Sequence, residues 1–313
     1  MTLNRDTIAE AAIRIAPFIR KTPVMDIVLP GIENPVCLKL ELFQHTGSFK
    51  PRGAFTNLVG AQIPEAGVAA ASGGNHGAAV AYAAKVLGIA ARIFVPTISS
   101  PAKIARIADY GATIVQEGAN YQEAAALCQD YVRESGALNI HAYDMETTLA
   151  GQGTLALELE QQAADLDAVL VAVGGGGLIG GIASWYQMRT KVVGVEPETC
   201  NCLSAALTAG TPTTIKPSGL ATDSLGASAA GSLMFPIAQR YVGHVALVSD
   251  EDIRNAQRYL WTNMQIVTEP GGATALAALL SGAYKPAKDE RVGVIVCGAN
   301  TPLETFKNLF SMA

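Results

Sequence analysis

Short, unbroken apolar runs alternate along the chain with longer segments of helical period. "GVAAAS" (67–72), "ARIFVP" (91–96), "ATIVQEG" (112–118) and "LNIHAY" (138–143) predict strands. "NHGAAVAYAAKVLG" (75–88), "PAKIARIADYG" (101–111) and "YQEAAALCQDYVRESG" (121–136) predict the helices between them. A second series follows in "TLALELEQQ" (154–162), "DAVLVAV" (167–173), "LIGGIASWYQMR" (178–189), "KVVGVEP" (191–197) and "VGVIVCGAN" (292–300). Strands without polar alternation are those covered by helices on both faces, so the pattern predicts parallel sheets with crossover helices. The expected fold class is α/β, with two doubly wound open-sheet domains. The smaller domain, 67–144, is inserted into a larger one made of 1–66 plus 145–313. Thr7 and Glu10 have the spacing of a capping box for a helix that ends near Pro17. The irregular Thr/Ser/Gly/Pro-rich segment 209–233 is expected over a functional cleft or an interface.

Composition narrows the classes. Of 313 residues, 50% are apolar and only 16% charged, against a usual charged share of about 25%. This favours a large core and a buried subunit interface, in a homodimer or homotetramer. A net charge of -5 without blocks of like charge excludes the electrostatic footprint of a nucleic-acid binder. Residues 168–186 are uncharged and long enough for a bilayer, but four consecutive glycines and two more interrupt them. A strand, a tight turn and a helix explain the stretch better than a membrane span. Arg5, Asp6 and Glu10 leave no apolar segment for a signal peptide. Five scattered cysteines (Cys37, Cys128, Cys200, Cys202, Cys297) lack metal-finger spacing and fit reduced thiols in a cytoplasm.

Four segments carry candidate chemistry. In "GSFKPRGA" (47–54), Lys50 lies in a half-apolar turn. A snorkelling or capping lysine is the default for this segment alone; a desolvated amine ready to form an imine is the alternative. "VGGGGLIGG" (173–181) places four glycines between strand and helix, where amides and the helix's positive end converge on a phosphate. Close helix–strand packing is the plainer reading, though four glycines exceed what packing needs. "ASGGNHGAA" (71–79) is a second anion-friendly turn with Ser72 and Asn75 as side-chain donors, His76 being read as structural. In "VCGAN" (296–300), Cys297 is a small core residue by default, yet it ends a strand where open α/β sheets bind ligands.

These four segments, in this order, resemble the signatures of the fold-type II pyridoxal-phosphate enzymes, with the tryptophan synthase β-like fold. Within them the chain is similar to the serine/threonine dehydratase and serine racemase branch. "AGQGTLALE" (150–158), "GVEPE" (194–198) and "EPGGATALAALL" (269–280) extend the resemblance nearly end to end. The resemblance implies pyridoxal 5'-phosphate as cofactor and Lys50 as the Schiff-base lysine, with Phe49 packed by the ring and Ser48 shaping the turn. Asn75 would bond the ring hydroxyl oxygen. Gly174, Gly175, Gly176, Gly177 and Leu178 would donate amides to the phosphate. Ser72, Gly73, Asn75 and His76 form the turn expected to grip a substrate carboxylate, and Cys297 would face the pyridine nitrogen.

A neutral thiol does not hold that nitrogen protonated, which weakens the electron sink and favours prompt loss of a β-substituent. The implied reaction is dehydration and deamination of a small hydroxy-amino acid such as L-threonine or L-serine to a 2-oxo acid and ammonia. A 3-hydroxyaspartate dehydratase, a racemase and a β-replacement synthase are the alternatives. Racemases of this branch carry a second serine after the first in the asparagine turn; Gly73 stands there and carries no proton. Relatives hold a divalent cation near the "EP" segment, but Cys202 stands where a second carboxylate is expected, and thiols are soft ligands. Glu196 is then the one candidate metal ligand, and neither a divalent nor a monovalent cation is assigned. With the chain ending at "NLFSMA", regulation is expected within the catalytic fold or at a subunit interface.

Overall fold

Two open sheets organise the chain. The structure, a computed structural model, describes residues 3–310. It begins with α1 (Arg5–Ile15), the antiparallel strands β1 (Val24–Ile27) and β2 (Val36–Lys39), and α2 (Lys50–Leu58). Asn4, not Thr7, caps α1: its side chain accepts from the Thr7 amide at 2.9 Å, and the Thr7 hydroxyl accepts from the Asn4 amide at 3.0 Å. The capping box therefore lies one turn ahead of the expected one, because the buried stripe Ile8, Ala11 and Ile15 requires the helix to start before Ile8.

Next come β3 (Val68–Ala71), α3 (Asn75–Leu87), β4 (Ala91–Val95), α4 (Pro101–Ala108), β5 (Thr113–Gln116), α5 (Tyr121–Ser135) and β6 (Leu138–Asn139). The four strands pair in parallel in the order β5-β4-β3-β6. Gly88 closes α3 at φ +68°, the left-handed cap that glycine adopts without strain. β6 is shorter than "LNIHAY" predicts, since the backbone leaves the sheet after Asn139. The freed carbonyls of Ile140 and Ala142 receive the His76 ring and the Lys50 amine instead.

The larger sheet is completed by α6 (Glu146–Gln162), β7 (Ala168–Ala172), α7 (Gly177–Tyr186), β8 (Lys191–Pro197) and α8 (Cys202–Ala209). After α9 (Thr222–Leu225) and α10 (Met234–Tyr241) come β9 (Val242–Val248), α11 (Asp250–Met264), α12 (Pro270–Leu280), β10 (Val292–Ile295) and α13 (Leu303–Asn308). The order is β1-β2-β10-β7-β8-β9, parallel except for β1. All five residues of β7 are buried, as a strand covered on both faces requires.

Every residue of α7 is buried, and two of its glycines lie inside the helix. They permit a close helix crossing. A β-carbon on Gly181 would sit 2.5 Å from the Gly153 amide nitrogen in α6, and one on Gly153 would sit 2.9 Å from the Gly181 carbonyl oxygen. Packing thus outweighs the poor helix propensity of these glycines. Among the described residues no helix is long and apolar enough to cross a membrane. Strands β3, β7 and β10 each end at one of the small-residue turns, the position where open α/β sheets take ligands.

Candidate active site

The Lys50 turn is stitched to the end of β10. The Phe49 amide donates to the Cys297 carbonyl at 3.1 Å, the Ala299 amide to the Gly47 carbonyl at 2.9 Å, and Ser48 bridges Gly298. Lys50 Nζ donates to the Ala142 carbonyl at 3.0 Å and lies 5.0 Å from the centre of the Phe49 ring. Burial lowers its pKa to about 8, with Cys297 and Glu269 opposing that shift. The side chain neither snorkels nor caps. It is an amine whose proton burial makes easier to lose.

Two residues on, Arg52 anchors the turn from below. Its Nε donates to Glu41 Oε1 at 2.5 Å, and its Nη2 donates to Glu41 Oε2 at 3.1 Å and Glu158 Oε2 at 3.0 Å. Lys39 Nζ completes the cluster at 2.5 Å from Glu158 Oε1. Arg52, Glu41 and Lys39 are fully buried.

The glycine turn follows β7. Gly176 has φ +92°, a conformation open to glycine and strained for other residues, and it precedes the first amides of α7 at Gly177 and Leu178. A β-carbon on Gly177 would lie 2.8 Å from Tyr143 Cβ, and one on Gly174 would lie 3.1 Å from Leu225 Cα. The backbone is bare because side chains have no room. Gly176→Ala adds about 1–3 kcal/mol of backbone strain. It should weaken binding of the phosphorylated cofactor about ten- to a hundredfold, read by titrating the absorbance of the bound form.

At the third turn, Ser72 Oγ accepts from the Gly74 amide at 3.1 Å. Asn75 Nδ2 donates to Glu269 Oε1 at 2.7 Å, and its Oδ1 accepts from Asn300 Nδ2 at 2.6 Å. Burial raises the Glu269 carboxyl to about 7. A β-carbon on Gly73 would collide with Ser99 Oγ. The His76 ring turns into the core, Nε2 lying 2.8 Å from the Ile140 carbonyl, and burial followed by Lys50 lowers its pKa to about 3. His76 is a neutral structural ring, and what it offers the turn is its first-turn amide. Cys297 Sγ donates to the Gly271 carbonyl at 3.4 Å, and burial followed by Glu269 pushes its pKa up, so the thiol stays protonated.

Glu196 is occupied by a helix terminus. Its oxygens accept the Leu203 and Ser204 amides, each at 2.8 Å. Cys202 Sγ donates to the Gly174 carbonyl at 3.1 Å, and Cys200 and Cys202 are both buried free thiols. Among the described residues no three His, Cys, Asp or Glu side chains are grouped to hold a metal ion.

A cavity of about 240 Å³ opens beside Asn75, walled by the 73–75 turn, α4, Glu269 and residues 299–302. Lys50 and the glycine turn do not line it; Tyr143 and Met234 pack against those glycines instead. The geometry adds three residues that the motifs did not single out: Glu269, Asn300 and Arg106. Glu269 and Asn300 lie within "EPGGA" and "CGAN", but their side-chain roles depend on contacts across the fold.

The profile of the family "Pyridoxal-phosphate dependent enzyme" matches residues 15–298. The phenylserine dehydratase of Ralstonia pickettii is 37% identical, the match covering 96% of this chain and 94% of that protein. The catabolic L-threonine dehydratase of Escherichia coli K12 is 36% identical over 95% of this chain and 93% of its own. The structure of maize serine racemase superposes with a TM-score of 0.92 at 32% identity, covering 100% of this chain and 97% of that one.

Proposed function

The chain belongs to the pyridoxal-phosphate dependent enzyme family, and from that premise we propose that it is an ammonia-lyase removing the β-hydroxyl and the amino group of a hydroxy-amino acid. The products are a 2-oxo acid and ammonia. One observation carries this reading: a lysine amine with pKa near 8 is stitched beside a protonated thiol at the end of β10. The residues suit the cofactor. The glycine turn offers bare amides at a helix start, Asn75 offers an amide group, and Phe49 a ring face.

When bound, pyridoxal phosphate supplies an electron sink at the substrate's α-carbon. In our reading Lys50 Nζ would be the group that attaches to the cofactor's aldehyde and the base that accepts the substrate's Cα proton. Amides of residues 174–178 and the positive end of α7 hold the phosphate. Ser72 and the first-turn amides of Asn75 and His76 hold the substrate carboxylate. Cys297, a protonated thiol, would meet the ring nitrogen as an uncharged group and leave the electron sink weak, which would favour departure of the β-hydroxyl.

Racemization needs a proton carrier on the opposite face. Gly73 supplies none; the hydroxyl that stands in the space of its missing side chain is that of Ser99, so a Ser99→Ala variant assayed for loss of optical activity separates the two reactions. Ammonia release measured over serine, threonine, phenylserine and hydroxyaspartate stereoisomers tests the reaction. No release from any of them would refute it, and uptake of sulfide into product would favour a β-replacement synthase.

The lowered lysine pKa has a kinetic consequence. Only the free amine attacks an aldehyde, so cofactor uptake by the apoprotein should accelerate as pH rises and level off above about 8. Continued acceleration toward pH 10 would show an ordinary lysine. We also infer a homodimer or homotetramer in the cytoplasm. The apolar excess, exposed Ile13, Val28 and Met188, and five free cysteines support this. Sedimentation and cell fractionation test it.

A further inference from the structure

The open cavity beside Asn75 has a charged wall. α4 presents two cations to it, Lys103 and Arg106, one helical turn apart. Their situations differ. Lys103 is ion-paired with Asp223, an exposed carboxylate of α9 on the same cavity. Arg106 has no carboxylate partner among the described residues, although the chain has more acidic than basic groups. Its Nη1 donates to Asn300 Oδ1 and its Nη2 to the Thr46 carbonyl at 2.6 Å, both neutral acceptors.

Those bonds fix the guanidinium plane and connect it to Asn75, because Asn300 Nδ2 donates to Asn75 Oδ1 at 2.6 Å. A guanidinium has five donors, so capacity remains for a further acceptor. Elsewhere the wall is apolar and small, with Ala78, Ala102, Ala299 and Pro302. Glu269 is the one other acid on it; that carboxyl is bonded to Asn75 and raised to about 7, which limits its repulsion of an incoming anion. A methyl or phenyl group in this space would leave a fixed cation without a counter-charge. A carboxylate would meet it in the fork geometry that arginine favours.

We infer that this cavity selects β-hydroxy amino acids that carry a second carboxylate, and that Arg106 is the side chain that binds it. The inference rests on the β-elimination reading and names the substrate class for that same site: β-hydroxy dicarboxylic amino acids such as 3-hydroxyaspartate. The β-hydroxyl leaves as in any member of the class, and the distal carboxylate is unchanged in the reaction.

Calorimetric titration of the cofactor-loaded protein tests this without turnover. Malate and 2-hydroxybutyrate have the same length and differ only in a terminal carboxylate or methyl. Charge-assisted hydrogen bonds imply that malate binds about 10- to 100-fold more tightly. Arg106→Gln should erase that preference, and Arg106→Lys should retain part of it. Equal affinity of the unsubstituted protein for the two acids overturns the inference, whatever the variants do. Turnover separates the two levels. Malate preference without ammonia release from any amino acid would leave the carboxylate site standing and sink the proposed reaction. Ammonia release from threonine with no malate preference would do the reverse.

Discussion

Lys50→Ala protein should fold as the parent does yet release ammonia on the order of 10⁴-fold more slowly, and show no absorbance from cofactor joined to the chain. One side chain is asked to do two things, hold the aldehyde carbon and move the Cα proton. Among the described residues, the two other lysines with bonds near these turns are engaged: Lys39 Nζ by Thr22, Glu158 and Gln162, and Lys103 by Asp223. Lys50→Arg should be as inactive, because a guanidinium keeps the positive charge but stays protonated. That pair of variants separates a need for a neutral amine from a need for charge. The measurements are ammonia release and the visible spectrum after incubation with cofactor. Retained turnover in the alanine variant would remove Lys50 from the mechanism.

Glu41→Ala should cost about 3–5 kcal/mol of folding stability, read as a lower urea midpoint at unchanged slope. The residue is fully buried, bonds two nitrogens of Arg52, and accepts from the Thr22 hydroxyl at 2.7 Å. Its removal leaves the buried Arg52 to Glu158, which already serves Lys39. The loss is a sizeable part of the roughly 5–15 kcal/mol that holds a domain together. It falls directly beneath the Lys50 turn, so cofactor affinity should fall with it. A change below about 1 kcal/mol would mean that water enters and pairs the guanidinium, and that the cluster is not an anchor.

The parallel core and the three small-residue turns were legible because apolar runs and glycine clusters are local signals. "DAVLVAV" and "KVVGVEP" are continuous apolar stretches, and each became a central strand. The glycine quartet also reads without the fold, since no other residue type leaves amides so bare. What stayed hidden depends on distant partners. The helix start at Glu146 is obscured by Gly151 and Gly153, which look like breakers until their contacts with α2 and α7 are seen. β9 exposes the adjacent Gly243 and His244 and then Leu247, without regular alternation, and reads weakly as a strand. Lys39, Glu41, Arg52 and Glu158 look like ordinary charged residues; only their burial together shows an ion cluster. Arg106 sits in the last turn of α4, where a cation is ordinary, and nothing local indicates that it reaches Thr46 and Asn300. Lys50 itself is ambiguous from its segment, because the carbonyl partner and the burial that favour the desolvated amine come from residues distant in the chain.

The covalent attachment at residue 50 is the claim on which the rest depends. Reduction of the cofactor-loaded protein with borohydride, then proteolysis and mass spectrometry, locates it. One pyridoxyl-phosphate adduct is expected, on the peptide containing Lys50; an adduct on another lysine, or none, rules out attachment there.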